Sequence, residues 1–282
     1  MPPEALFVVS AVAQYTGAAI AVGLFDEVAP RTVAWLRVLG ATLALLAVSP
    51  GWFRGWTRRT LGGAAVFGIA TALMNLFFYL AIDRLALGSS VAIEFVGPIA
   101  VAAATTRTRR NAIAVSVAAA GVLTLGGLEI GDNPTGLAFI LAASAMWALY
   151  IVVGSRVANL RSGVGGLAVG LAIGTAVLTP IGAPGSGHVW TSAGLLVLCL
   201  LTGVFSNAVG YGIDQHVLRR IPVRRFSVLL ATLPVTAIAV GWIALGQRPG
   251  PAELAGIALV LAAIALQERE SLSAAEVVPE PG

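Results

Sequence analysis

The sequence predicts an all-α polytopic membrane protein of ten transmembrane helices, arranged as two inverted five-helix repeats. Three observations predict it. The 282 residues are 58% hydrophobic and 11% charged, with a mean hydropathy of +0.92. That is more apolar surface than one soluble core can hide, so the composition calls for lipid as solvent. The apolar residues also fall into runs of about 17–25, the length that crosses a bilayer. Finally, the basic residues gather in alternate connections between those runs instead of along one polar face, a topology signal and not a nucleic-acid footprint.

The first span, 5–25, opens beside Glu4 and lacks the basic start of a signal peptide, so it is expected to remain as a helix; Gln14 and Tyr15 are its polar side chains. The second, 32–49, carries Arg37 and ends at Ser49-Pro50-Gly51, a turn signal. The third, 61–82, carries Asn75 and Tyr79. The fourth, 87–105, carries Glu94 and Pro98 and stops before the polar stretch Arg107 to Asn111. The fifth, 112–128, ends at the turn from Gly131 to Pro134, and the sixth, 135–154, holds Trp147 and Tyr150.

In the seventh span, 164–182, Gly166, Gly170 and Gly174 form a small-residue face that admits another helix closely, from within the chain or from a second copy. The eighth, 192–213, holds Cys199, Ser206, Asn207 and Tyr211; the ninth, 223–244, holds Pro234; the tenth, 251–267, follows the turn Gly246 to Pro251. After Gln267 the chain is acidic and short of aromatics, and 271–282 is expected to be a disordered tail.

Positively charged short loops stay on the cytoplasmic side. Arg54, Arg58 and Arg59 follow the second span, Arg107, Arg109 and Arg110 the fourth, Arg156 and Arg161 the sixth, and Arg219, Arg220, Arg224 and Arg225 the eighth. The other connections have Arg31, Arg84 and Arg248 beside Asp26, Glu27, Asp83, Glu129, Asp132 and Glu253. Both termini are therefore expected in the cytoplasm.

The halves, 1–130 and 134–270, each hold five spans, and an odd number makes the second copy enter from the opposite side. An offset of 136 pairs Arg84 with Arg220, Pro98 with Pro234, Leu85 with Ile221 and Asn75 with Tyr211. Each proline frees a backbone carbonyl in mid-helix, either as a packing kink or beside a water-filled cavity. The same offset sets Leu230 opposite Glu94 and Ile173 opposite Arg37, so ionic chemistry belongs to the first half.

All 17 basic residues are arginine, which excludes a Walker lysine and a Schiff-base lysine. No cofactor is expected. Cys199 is the only cysteine and His188 a lone loop histidine, so no disulfide or metal site is expected. No serine, histidine and aspartate arrangement supports an enzyme. The competing classes are a channel and a non-transporting membrane partner protein.

An ionisable side chain within a membrane helix asks for a reason. Arg37 and Glu94 are the two well inside spans, about 8 Å and about 10 Å from the outer ends at roughly 1.5 Å per residue. Arg37 can take the carboxylate of an amino acid through its fork while Glu94 takes the ammonium. Alternatively, Glu94 carries a proton, its occupancy changing with solvation and neighbouring charge as the conformation changes. A third reading is a permanent Arg37–Glu94 ion pair that locks two helices together. Gln14, Tyr15, Asn75, Tyr79, Trp147, Tyr150, Ser206, Asn207 and Tyr211 are candidates to complete a substrate pocket between the halves, or else links between helices.

Three segments resemble a known family: Ala34-Trp35-Leu36-Arg37, Ala92-Ile93-Glu94-Phe95-Val96-Gly97-Pro98 and Ala148-Leu149-Tyr150. The sequence resembles the EamA branch of the drug/metabolite transporter superfamily, and within it the threonine/homoserine exporters. Gln247 departs from the Gly-Glu that relatives often carry before the last helix. The resemblance implies a secondary transporter in a bacterial inner membrane, monomeric or homodimeric. Its expected cargo is amino acids such as threonine or homoserine, or else drugs, amines or other metabolites. The implied driving force is a proton gradient or exchange.

Overall fold

The computed structural model describes residues 3–49, 55–105, 108–157, 163–210, 213 and 232–276. Among them the regular structure is helical. In chain order the helices are α1 (Pro3–Leu24), α2 (Pro30–Val48), α3 (Arg58–Ile82), α4 (Leu87–Glu94), α5 (Val96–Thr105), α6 (Arg109–Asp132), α7 (Pro134–Val157) and α8 (Gly163–Gly182). A short α9 (Gly187–Thr191) precedes α10 (Ala193–Gly203), which runs on into a π-helical stretch, Val204–Val209. The last two are α11 (Thr232–Leu245) and α12 (Pro251–Glu276).

Helix starts follow from local chemistry. Proline opens α2, α7 and α12, where its missing N–H costs no intrahelical bond and its φ already suits a helix. Thr57 and Thr60 form a reciprocal capping box at α3, satisfying two end groups at once. Gly246, with φ of 67°, makes the turn out of α11.

Five helical stretches are long and apolar enough to cross a membrane: Ala5–Leu24, Pro30–Val48, Arg58–Ile82, Pro134–Val153 and Gly165–Gly182. Shorter apolar stretches run over Leu87–Val101, Ala112–Leu125, Ala193–Val209, Leu233–Leu245 and Pro251–Leu266. Leu123, Trp242 and Ile243 are 72%, 57% and 84% exposed, whereas Arg37, Asn75, Glu94, Ser206 and Asn207 are buried. Apolar side chains outward and polar ones inward suit a hydrocarbon solvent.

Glycines set how closely the helices meet. A Cβ on Gly68 of α3 would overlap the Gly170 carbonyl of α8, and one on Gly174 would stand 2.6 Å from the Gly68 carbonyl. The glycine face of the seventh span is thus used within the chain. Across α2, a Cβ on Gly203 of α10 would overlap the Arg37 carbonyl, and one on Gly40 the Leu200 carbonyl. On its other side α2 is tied to α8 by Thr32 Oγ1 donating to the Gly182 carbonyl at 2.8 Å, by Trp35 Nε1 donating to Thr179 Oγ1 at 3.1 Å, and by the 3.1 Å contact of Thr42 Oγ1 with Thr175 Oγ1.

The kink expected at Pro98 interrupts the fourth span. The fourth span is not one continuous helix: α4 stops at Glu94 and α5 resumes at Val96. Pro98 is the cause, because it has no N–H for the Glu94 carbonyl four residues earlier and its ring crowds that oxygen. Pro234 is the third residue of α11, and the residue four before it lies outside the described residues. At the C-terminal end α12 runs to Glu276. Residues 271–276 contain neither proline nor glycine to stop a helix, and 277–282 lie outside the described residues.

Candidate functional site

Arg37 enters the interior from the middle of α2, at the point where Gly203 lets α10 close on its backbone. The guanidinium meets the π-helical stretch that follows Gly203. Nη2 donates to Asn207 Oδ1 at 2.9 Å and Nε to the same oxygen at 3.3 Å. From α3, the Tyr79 ring lies beneath the guanidinium, with 4.8 Å between the guanidinium carbon and the ring centroid, a cation–π distance. Arg37 is 7% exposed, and Asn207 and Tyr79 are 0% exposed.

The π turn is braced by α1. Ser206 Oγ donates to the Gln14 carbonyl at 3.0 Å, Ser10 Oγ donates to the Gly210 carbonyl at 3.0 Å, and Gln14 Nε2 donates to Ser10 Oγ at 3.1 Å. Such single π turns recur at functional sites because they rotate one side chain out of the α-helical register. Asn207 lies within this turn.

Several buried polar atoms of this group have no protein partner: Arg37 Nη1, Asn207 Nδ2 and the Tyr79 hydroxyl. The Tyr79 hydroxyl lies near Arg37 and Thr202 without hydrogen-bond geometry to either. Ser90 Oγ, one turn before Glu94 on α4, is likewise buried and unpartnered. Buried polar groups in folded proteins are almost always bonded, so a concentration of exceptions calls for partners from outside the protein, water or ligand.

Glu94 closes α4 and is 8% exposed. It forms no ion pair with Arg37; among the described residues the ion pair is Arg84–Asp83, at 2.6 Å. Arg37 is nevertheless near enough for its charge to act on Glu94. The locking ion pair is therefore not the arrangement in this structure. Two buried ionisable side chains stand near each other without an ion pair between them.

The remaining candidates divide. Trp147 packs edge-on against Phe95, the residue after Glu94, with centroids 4.9 Å apart. Tyr15 packs partly buried against the core from α1. Asn75 donates to the Thr71 carbonyl of its own helix at 2.7 Å, one turn before Tyr79. Tyr150 packs on Phe67 at 4.5 Å, between α3 and α7. Tyr211 lies outside the described residues.

Sequence reasoning missed Ser90, although its spacing of four from Glu94 puts both on one helix face. It also missed a polar cluster at the far end of α4. There Gln247 Oε1 accepts from the Leu87 N–H at 2.9 Å, and Ser89 Oγ donates to Glu253 Oε1. A cleft between α4, α11 and α12, lined by Gly88, Ile238, Gly241, Gln247 and Glu253, lies at this end and not beside Arg37.

The model of the EamA-like transporter family matches residues 134–267. The threonine/homoserine exporter RhtA of Escherichia coli (strain K12) is 32% identical over 264 residues, 93% of this chain and 89% of that protein. RhtA of Salmonella typhimurium (strain LT2) is 34% identical over 251 residues, 88% of this chain and 85% of that protein. A solved crystal structure, 18% identical, shares the fold with a TM-score of 0.61 over 98% of this chain and 99% of that one. With apolar helices long enough to cross a membrane and relatives matched over most of its length, the chain belongs to the EamA-like transporter family and is an exporter of small metabolites, not an enzyme.

Proposed function

We propose that this chain is a secondary carrier in a bacterial inner membrane, exporting amino acids of the threonine and homoserine kind by alternating access. The observation that carries the proposal is the pair of buried ionisable side chains, Arg37 and Glu94, which form no ion pair with each other. Holding two such groups in a membrane interior is costly unless a partner arrives, and an amino-acid zwitterion supplies a carboxylate for one and an ammonium for the other. The names of the RhtA relatives point to the same cargo.

Ten spans in two inverted repeats suit the packing. The long and shorter apolar stretches follow the ten expected runs in chain order. If α1–α6 and α7–α12 are exchanged, the contact of α3 with α8 becomes that of α10 with α2, and the contact of α3 with α7 becomes that of α10 with α1. The same exchange turns the close approach of Gly68 to Gly170 into that of Gly203 to Arg37. The pairs α2 with α8, α4 with α11 and α6 with α12 map onto themselves, as helices astride a two-fold axis do. Both termini lie in the cytoplasm on this reading, and export is coupled to protons through Glu94 or proceeds by exchange, with the carrier monomeric or homodimeric.

Proteoliposomes loaded with labelled threonine or homoserine, with and without a proton gradient, test the proposal. Saturable efflux with counterflow is expected; passive conduction without counterflow indicates a channel, and no flux for any amino acid sinks the assignment. Glu94→Gln is expected to abolish gradient-driven efflux while the protein still inserts and melts normally. Unchanged flux and unchanged pH dependence would make Glu94 a packing residue.

A further inference from the structure

We infer that the site requires a free carboxylate of its cargo, bound by Arg37, Asn207 and Tyr79, and refuses compounds that offer only an amine or an alcohol. The inference rests on the carrier reading above and narrows it to a substrate class.

The atoms left without partners beside Arg37 are donors. A guanidinium nitrogen has only N–H groups to offer. Asn207 could in principle present either end of its amide, but its neighbour decides the orientation: Arg37 can only donate, so the oxygen must face Arg37 and Nδ2 must face away. That oxygen already receives two N–H groups. Arg37 Nη1 and Asn207 Nδ2, both buried, are therefore free to donate, and the Tyr79 hydroxyl is free beside them. The Tyr79 ring face is occupied by the guanidinium, which leaves its hydroxyl as the polar handle.

A cationic ligand meets a like charge here, and an alcohol oxygen can accept from the free donors but sets no negative charge against the guanidinium. An ammonium would face a guanidinium and an amide N–H, with Asn207 Oδ1 already doubly used and only the neutral Tyr79 hydroxyl oxygen left to accept from it. A carboxylate fits: it carries one negative charge against one guanidinium and has lone pairs enough for all the free donors. Glu94, close enough to feel Arg37 but not bonded to it, remains for a positive group on the same molecule.

The geometry also explains the π turn. It sets Asn207 against Arg37, and the two α1 ties, Ser206 to the Gln14 carbonyl and Ser10 to the Gly210 carbonyl, hold the turn in place. Asn207 thereby both orients the guanidinium and offers its own N–H groups, so the receptor is preorganised before cargo arrives.

The test is competition against labelled threonine in counterflow, paired with equilibrium binding of labelled threonine to the detergent-solubilised protein. Threoninol and threoninamide, which keep the ammonium and lose the carboxylate, are expected to compete at least about thirtyfold more weakly than threonine. 3-Hydroxybutyrate, which keeps the carboxylate and loses the ammonium, is expected to retain measurable competition. Asn207→Leu should raise KM for threonine about tenfold with little change in kcat, and should collapse the preference for threonine over threoninol. Should that variant fail to fold, Tyr79→Phe removes one hydroxyl while keeping the ring under Arg37, and should raise KM about threefold. Threoninol competing as well as threonine in a protein that exchanges threonine would overturn the carboxylate receptor and leave the carrier standing. No binding and no saturable exchange of any compound would remove the carrier reading, and this inference with it.

Discussion

Arg37 and Asn207 make a pair in which each gives the other its orientation. The guanidinium is fixed by two bonds to one amide oxygen and by the Tyr79 ring face, so its remaining edge is directed without spending side-chain freedom on binding. A lysine keeps the charge but can neither fork onto Oδ1 nor lie flat on the ring. Arg37→Lys is therefore expected to raise KM for threonine by at least about tenfold, equivalent to about 1.4 kcal/mol, with the rate at saturation less affected; counterflow kinetics measure both, and an unchanged KM would exclude Arg37 from the site. Arg37 and Glu94 were legible in the sequence because charges cannot hide in apolar runs. Asn207 was harder to rank. Asn75 looks just as promising in sequence, yet it spends its amide on its own helix, and only rotation about the helix axis separates the two cases. At Asn207 that rotation is set by a π turn, which no residue type announces.

At the scale of elements, the decisive feature is how near two helices are allowed to come. Gly203 has no side chain where the Arg37 backbone arrives, and Asn207 follows four residues later, so the α2–α10 contact and the Arg37–Asn207 pairing stand or fall together. Gly203→Ala should lower the melting temperature, since overpacking a tight contact costs about 1–3 kcal/mol. It should also weaken threonine binding, because α2 and α10 must separate. Gly62→Ala in α3 is the control: a Cβ there meets nothing within 4 Å, and replacing glycine inside a helix gains up to about 1 kcal/mol. Thermal unfolding of both variants in detergent separates the cases, and equal behaviour would refute the close-contact argument. The glycines of the seventh span were visible in sequence as a small-residue face, but their partner was not: Gly68 lies about a hundred residues away, outside any local pattern. Pro98 was visible too, as a possible kink. That the resulting break falls at Glu94 follows from the four-residue reach of the bond that proline cannot make.

Across the whole molecule, the connections that the arginine distribution assigns to the outer side are tied together in pairs. His188 Nε2 donates to the Glu27 carbonyl at 2.9 Å, Asn133 Nδ2 donates to the Arg84 carbonyl at 3.4 Å, Leu87 N–H donates to Gln247, and Ser89 donates to Glu253. Composition predicts helices in lipid, and loop charge assigns each connection to a side. Which of them touch depends on packing between distant residues and could not be read from either. Gln247 illustrates the gap: in sequence it is a departure in a loop, whereas in the structure it caps the first N–H of α4. That helix ends in Glu94, so Gln247 and Glu253 hold one end of the element whose other end bears the buried carboxylate. If these bonds keep the outer end shut, Gln247→Ala combined with Ser89→Ala should raise the population open on that side. A cysteine at Ile238, placed against Gly88 in a Cys199→Ala background, reports it through its rate of reaction with a membrane-impermeant maleimide. A fivefold rise corresponds to about 1 kcal/mol of shift between closed and open states. Addition of threonine from the cytoplasmic side should change that rate in the parent background and change it less when the ties are cut. A labelling rate indifferent to both substitutions would mean that the bonds merely finish helix ends, and that closure is held by the helix packing around α4 instead.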